Sequence, residues 1–255
     1  MPSINEITLL QPQVEKIAIA AGNAILSIYE CDFEIVTKTD ESPLTEADLA
    51  AHNVIIAGLE AISDLPILSE ESADIPWSTR QTWDSYWLVD PLDGTKEFIK
   101  KNGEFTVNIA LISGGTPVFG VVYAPVLDTL YSGVVGAGAT KTVKGEATAM
   151  SPALRSDASV YHVVGSRSHQ SPEIQQFIAA LDKEAELVSM GSSLKLCLVA
   201  EGAAHFYPRL GPTSEWDTGA AHAVALAAGA TVTELSLETI ADSATNPNSQ
   251  TPLRY

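Results

Sequence analysis

The sequence predicts a layered α/β sandwich with an α+β first half and an α/β second half. Two changes of rhythm carry this. Between Phe105 and Val135, three apolar runs follow one another, parted only by Gly114-Gly115 and Pro125, as in an antiparallel meander. From Ser159 onward, short apolar runs alternate with helical segments, as in α/β layers. The rhythm changes near Pro152, after a small, polar, glycine-containing stretch, so we divide the chain into 1–152 and 153–255. The length of 255 residues fits one large domain or two modest ones.

In chain order, Val14, Ile17, Ala21, Ile25 and Ile28 have the spacing of an amphipathic helix over Gln13–Glu30. Phe33–Val36 alternates as a strand. Thr45 with Asp48 three residues on resembles a capping box, opening a helix that runs to about Ile62. Pro66–Ser69 is a short strand ending in Glu70-Glu71, and Trp77 and Trp83 are packing residues of a loop and short helix. Tyr86–Val89 is a buried strand with Asp90 at its end. Pro91 and Gly94 mark a tight turn containing Asp93, and Thr95 is the N-cap of a short helix through Phe98. The meander strands are Phe105–Ile112, Val118–Tyr123 and Leu130–Val135, followed by a hairpin or loop over Ala137–Ser151. The second half reads as strand Ser159–Gly165, helix Pro172–Leu181, extended Ala185–Ser189 and helix Leu194–Glu201. Strand His205–Tyr207, helix Asp217–Ala228 and strand Thr231–Leu235 follow, and a polar tail from Ala241 wraps the surface.

Composition narrows the function classes. Apolar content is ample for a core. Cys31 and Cys197 stand far apart, with neither metal-type spacing nor a disulfide framework, which fits a reducing compartment. The first residues lack the basic-then-apolar pattern of a signal peptide, no apolar stretch is long enough to span a bilayer, and no fixed-period repeat is visible. A net charge of −18 argues against a nucleic-acid polymer as partner. It would also repel a phosphorylated substrate, unless local cations win at short range.

The stretch Tyr86–Lys101 can do chemistry. Asp90 leaves a strand and Asp93 follows three residues later, so both carboxylates and the intervening Leu92 carbonyl can face one space. Hard cations such as Mg²⁺ want fixed oxygens of this kind. The helix start after Gly94 offers N–H groups to an anion. Alone, Asp-Pro and Asp-Gly are ordinary turn chemistry. Asp48 either caps its helix or faces the metal to polarise a water, and Lys38 is a solvated strand residue or a phosphate contact. In the second half, Gly165-Ser166-Arg167-Ser168-His169 and Gly191-Ser192-Ser193-Leu194-Lys195 each open a helix, as ordinary caps or as phosphate contacts. Asp217, after Trp216, begins an Ala-rich helix, as an N-cap or as a further member of the acid cluster.

Three stretches together, Leu68–Glu71 (LSEE), Trp87–Phe98 (WLVDPLDGTKEF) and Trp216–Ala221 (WDTGAA), resemble the inositol monophosphatase superfamily of Mg²⁺-dependent, lithium-sensitive phosphomonoesterases. Within it, KEFIKKNGEFTVNIALI, GSRSH, GSSLKLCLVAEG and YPRLGPT are similar to the bacterial branch of 3′(2′),5′-bisphosphate nucleotidases. The resemblance covers nearly the whole chain, and Ala137–Arg155 and the residues after Glu234 depart from it. It implies the sugar-phosphatase fold with the site between the two halves. Glu70, Asp90, the Leu92 carbonyl, Asp93 and Asp217 would hold two or three Mg²⁺, with Li⁺ as an inhibitor. Asp48 and Thr95 would orient and deprotonate water, and Glu71 would either back the metal ligands from behind or hold a further metal's water. Gly94, Thr95, Ser166, His169, Gly191, Ser192, Lys195, Arg209 and Asp217 would bind the substrate. The implied reaction removes the 3′-phosphate of adenosine 3′,5′-bisphosphate to give AMP in sulfur assimilation, and the sulfated form would lose the same phosphate while keeping its sulfate. The alternatives are an inositol phosphate or sugar bisphosphate substrate, or a non-catalytic metal- or nucleotide-binding protein. A cytoplasmic monomer is expected, with peripheral association at the inner membrane as a variant. Lys38, Lys96, Lys100, Lys101, Arg167, Lys195 and Arg209 are half of the 14 Lys and Arg residues, and all lie in or beside these motifs.

Overall fold

The computed structural model describes residues 2–31, 35–37, 43–152, 159–165, 172–235 and 251–255. Its centre is a seven-stranded sheet in sequential order, β3 (Ile67–Ser69), β4 (Ser85–Asp93), β5 (Thr106–Ser113), β6 (Thr116–Ala124), β7 (Thr129–Val134), β8 (Gly138–Val143) and β9 (Glu146–Ala149). The first pair is parallel and all others antiparallel, so the expected meander is present and the 137–151 stretch is its last hairpin.

Period-two alternation assigns the two faces of the sheet. Trp87, Val89, Ile109, Leu111, Phe119 and Val121 point toward α1 (Ile4–Tyr29) and α2 (Glu46–Glu60). Leu88, Ala110, Ile112 and Val122 point the other way, toward α6 (Leu194–Ala200) and α7 (Glu215–Ala228). Every residue of β5 is buried, as a strand covered on both faces must be. The second half adds a small parallel sheet of β10 (Tyr161–Gly165) and β11 (Ala185–Ser189), with α5 (Pro172–Ala179) and a core of Val163 and Phe177. Short elements complete the described chain: β1 (Ile35–Thr37) paired with β2 (Pro43–Thr45), α3 (Trp77–Arg80) and α4 (Thr95–Ile99).

Several boundaries differ from expectation, each for a local reason. α1 begins nine residues early because Ser3 and Glu6 form a reciprocal capping box that starts the helix at Ile4, with Pro12 inside it. Asp90–Asp93 is no tight turn. β4 continues through Asp93, and a bulge lies between the pairs Asp90–Asn108 and Asp93–Thr106. Gly94, with φ 96°, rather than Thr95, precedes the first residue of α4. α7 starts at Glu215 with Ser214 as its cap, so Asp217 is its third residue. Of the expected strand His205–Tyr207, Phe206 makes one bridge, to Val163, and of Thr231–Leu235 only Thr233 pairs, with Pro252. Phe33, Glu34, Lys38, Ser166, Arg167, Ser168 and His169, and the tail from Ala241 to Gln250, lie outside the described residues.

Candidate active site

The site begins with a bulge. At Asp90-Pro91-Leu92 the Asp90 Oδ1 accepts the Leu92 N–H at 3.0 Å, a local Asx-type closure that fixes the carboxylate. The bulge lets the backbone gain a residue, so Asp90 and Asp93 can both face the same side. α7 reaches this point from the second half. The Asp217 Oδ2 closes the helix start by accepting the Ser214 N–H at 2.9 Å and the Thr213 hydroxyl at 2.8 Å. Oxygens of Asp90, Asp93 and Asp217 then lie within 4.8 Å of one another. The two helix-capping acids of the sequence thus share an outcome: Asp217 caps and joins the cluster, and Asp48 caps and reaches it through Thr95.

Asp48 sits at the third position of α2, where its Oδ2 takes the Thr45 N–H at 2.8 Å and the Thr45 hydroxyl at 2.6 Å. Its Oδ1 takes the Thr95 hydroxyl at 3.4 Å, and the same hydroxyl is 3.4 Å from the Leu92 carbonyl. Cap and cluster are therefore compatible roles for one carboxylate. Glu70 and Glu71 occupy a 3-10 turn, Glu70–Ser72, at the end of β3, both half-buried.

Electrostatics register the crowding. Asp90 is 1 % exposed, and burial pushes its carboxyl well above the usual range, with Asp93, Glu70, Asp217 and Asp48 adding repulsion. Asp93 is raised to about 6, first by burial; Lys195 opposes this and Asp217 adds to it. All these donors are hard oxygens, crowded where like charges repel, and such a set fits a hard divalent cation.

The loop before α6 closes the other side. Asp93 Oδ2 accepts the Ser192 hydroxyl at 2.7 Å and the Ser193 N–H at 2.5 Å. Lys195, 9 % exposed, donates to the Ser192 carbonyl at 2.6 Å and lies 5.7 Å from the Tyr207 ring centroid. Burial lowers its pKa, while Asp93, Glu97 and Glu104 work against that and Arg209 with it. Arg209 is thus close enough to be felt by Lys195, and it donates to the Pro212 carbonyl at 2.8 Å. Gly191 donates its N–H to Glu104 at 2.8 Å. Lys101, one of the cations found beside the motifs, donates instead to the Tyr29 and Cys31 carbonyls at the end of α1, a favourable place for a cation.

The structure therefore brings together Asp48, Asp90, Leu92, Asp93, Gly94, Thr95, Gly191, Ser192, Lys195 and Asp217, with Glu70 and Arg209 within electrostatic reach. Ser166 and His169 lie outside the described residues. Sequence reasoning passed over Glu104, Thr106 and Asn108, which tie the Gly191–Lys195 loop to β5, and read Ser193 as a cap or phosphate contact rather than as part of that tie. Their signal was present: three polar residues at alternate positions entering an otherwise apolar strand.

Fold and site together set an acid cluster where α7 meets the central sheet, and the model of the inositol monophosphatase family matches residues 8–251. The chain belongs to that family. The 3′(2′),5′-bisphosphate nucleotidase CysQ of Escherichia coli (strain K12) is 53% identical over 224 residues, covering 86% of this chain and 88% of the relative. Its counterpart in Haemophilus influenzae is 37% identical over 224 residues, covering 87% and 82%. The crystal structure of CysQ from Bacteroides thetaiotaomicron, a bacterial member of the family, superposes with a TM-score of 0.75 at 45% identity, covering 86% of each chain.

Proposed function

We propose that this chain is a Mg²⁺-dependent 3′(2′),5′-bisphosphate nucleotidase that converts adenosine 3′,5′-bisphosphate to AMP, with the sulfated analogue as a second substrate and a place in sulfur metabolism. The convergence of Asp90, Asp93 and Asp217 from both halves carries the reading. The similarity to nucleotidases of that name supports the choice of substrate.

Asp90, Asp93, Asp217, Glu70 and the Leu92 carbonyl would hold the cations, two or three per site. When bound, these supply charge neutralisation for the phosphate oxygens and Lewis-acid activation. Thr95 and Asp48 form the proton path. Asp48 Oδ2 is committed to Thr45, so Oδ1 is the oxygen turned to the Thr95 hydroxyl. The attacking water gives its proton toward this pair, its oxygen bonds to phosphorus in line, and the bond from phosphorus to the ribose 3′-oxygen breaks. The leaving oxygen takes a proton from solvent. Glu71 would hold a second water. Gly94, Gly191, Ser192, Lys195 and Arg209, with Ser166 and His169, would hold the nucleotide. Of these, Lys195 is the buried cation nearest the acids, and it offsets the repulsion a dianionic group meets on a chain of net charge −18.

Phosphate release from adenosine 3′,5′-bisphosphate, titrated with Mg²⁺ and then Li⁺, tests the reading. Asp93→Asn should lower kcat by more than about a hundredfold, since it removes a group that faces the metal. Undiminished turnover in that variant sinks the mechanism. An inositol phosphate substrate would use the same chemistry, and the ratio of kcat/KM between the two substrates decides between them. A cytoplasmic, monomeric enzyme completes the proposal, supported by two free cysteines. Among the described residues, no helix is long and apolar enough to cross a membrane.

A further inference from the structure

The start of β5 is built unlike the rest of the strand. Thr106 and Asn108 are fully buried, yet polar, at the start of a strand that runs on through Ile109, Ala110, Leu111 and Ile112 before Ser113 at its far end. In the β4–β5 ladder they stand directly opposite the two acids of the bulge: Thr106 pairs with Asp93 and Asn108 with Asp90. Neither side chain touches those acids in the described bonds. Both turn instead to the loop of the second half.

The bonds have a direction. Ser192 donates its hydroxyl to Asp93 Oδ2, and Ser193 donates its hydroxyl to Asn108 Oδ1 at 2.8 Å. The Thr106 hydroxyl lies 2.5 Å from the Ser192 oxygen and 2.9 Å from the Ser193 oxygen. With both serine protons committed elsewhere, the single Thr106 proton is the one left for the branch, where the Asn108 Oδ1 is a third acceptor at 3.4 Å. Ser192 holds a φ of 56°, a strained value for a residue with a side chain, so the loop does not rest there by backbone preference alone. One position earlier the fit is steric as well. A Cβ on Gly191 would meet the Glu104 carbonyl oxygen at 2.8 Å and its Cβ at 2.9 Å. The Asn108 Nδ2 is buried without a partner, a polar group kept in the core where an apolar one would pack at less cost.

From this geometry we infer that Thr106 and Asn108 are positioning residues. They hold the Ser192–Ser193 loop in its strained form, and through it fix which oxygen of Asp93 is tied back and which is turned toward the cations. Lys195, whose ammonium is held by the Ser192 carbonyl, is set by the same seam. The seam therefore couples cation binding by the first half to substrate binding by the second. The inference rests on the metal-binding reading of the acid cluster and not on the identity of the substrate.

Mn²⁺ binding to the full chain, followed by electron paramagnetic resonance, tests it without any turnover. Thr106→Val keeps the shape and removes the donor; it should weaken Mn²⁺ binding about tenfold and raise KM for the nucleotide, as loss of a group orienting a ligand does. Thr106→Ser should restore Mn²⁺ affinity to within about twofold, because it returns the hydroxyl alone. Should Thr106→Val fail to fold, Ser193→Ala removes the branch oxygen while leaving the backbone N–H to Asp93, and it should weaken Mn²⁺ binding in the same direction. Variants that melt earlier but bind Mn²⁺ like the wild type reduce the seam to a packing feature and overturn the inference. If the wild type binds Mn²⁺ and Thr106→Val binds it weakly, while no phosphate leaves the nucleotide, the seam stands and the nucleotidase reading falls. A wild type that binds no Mn²⁺ overturns both.

Discussion

Asp90 is placed at a cost to the fold. Its carboxyl is shut away from water and faces four other acids, so in the metal-free protein ionising it works against the fold. Removing that charge while keeping the shape should relieve the strain. Asp90→Asn is expected to raise the melting temperature of the metal-free protein by several degrees, about 2–4 °C for each kcal/mol in a chain of this size. The same variant should lose Mg²⁺-dependent stabilisation and turnover. Calorimetry with and without Mg²⁺ checks both halves, and a lower melting temperature in the metal-free variant would contradict the assignment of strain. At this scale the acids themselves were legible, because Asp90, Asp93 and Asp217 all follow apolar or aromatic runs in distinctive motifs. Their support was not. Thr106, Asn108 and Ser193 gain their roles only when residues 85 to 87 positions apart in sequence meet.

Among the elements, α7 decides whether the site exists, since among the described residues it carries the acid that reaches the bulge from the second half. Its Ala-rich face lies directly on β6 and β7. A Cβ on Gly120 would meet the Ala220 carbonyl oxygen at 2.1 Å, and one on Gly133 would meet Ala227 Cβ at 2.8 Å and Val224 Cα at 3.0 Å. The helix backbone cannot yield without shifting Asp217, three residues before Ala220. Gly120→Ala is therefore expected to cost about 1–3 kcal/mol of stability, the usual price of overpacking. It should also weaken Mg²⁺ binding, read by isothermal calorimetry at a temperature where the variant is folded. Gly138→Ala, at a glycine with no atom near its Cβ position, is the control: it strains the backbone at φ 113° but leaves α7 where it is, so Mg²⁺ binding should hold. Helix and strand rhythm was readable here and the boundaries were less so. The capping box at Ser3 and Glu6 was present in the sequence, but Pro12 and the apolar spacing from Val14 drew the helix start later. The Asp-Pro-x-Asp-Gly signature suggested a turn because proline and glycine commonly make one. Cross-strand pairing with β5 instead absorbed the extra residue as a bulge.

For the molecule as a whole, 32 acids against 14 Lys and Arg make proton uptake a matter of stability as well as catalysis. The direction follows from the folded-state values. Asp93 is raised to about 6 and Asp90 well above its ordinary value, whereas in the unfolded chain both would titrate in the normal carboxylate range. Between those limits the folded state binds more protons than the unfolded one, so these two groups make the metal-free fold less stable as pH rises. A divalent cation competes for the same oxygens, and its binding releases those protons. His222 pulls the opposite way. Burial lowers its pKa to about 4, so its contribution is present above the ordinary histidine value and is lost as pH falls through that range. Total stability would therefore mix two opposing slopes, but the difference between Mg²⁺-loaded and metal-free protein cancels the histidine. That difference in melting temperature, at fixed Mg²⁺, should be small at pH 5 and grow as pH rises through about 6 toward 8. The same series on Asp93→Asn should show a flatter rise, since the group titrating near 6 is gone. A Mg²⁺ shift that stays constant from pH 5 to 8 in the wild type would mean that the cation does not displace protons from Asp90 and Asp93, and that its seat lies elsewhere on the chain.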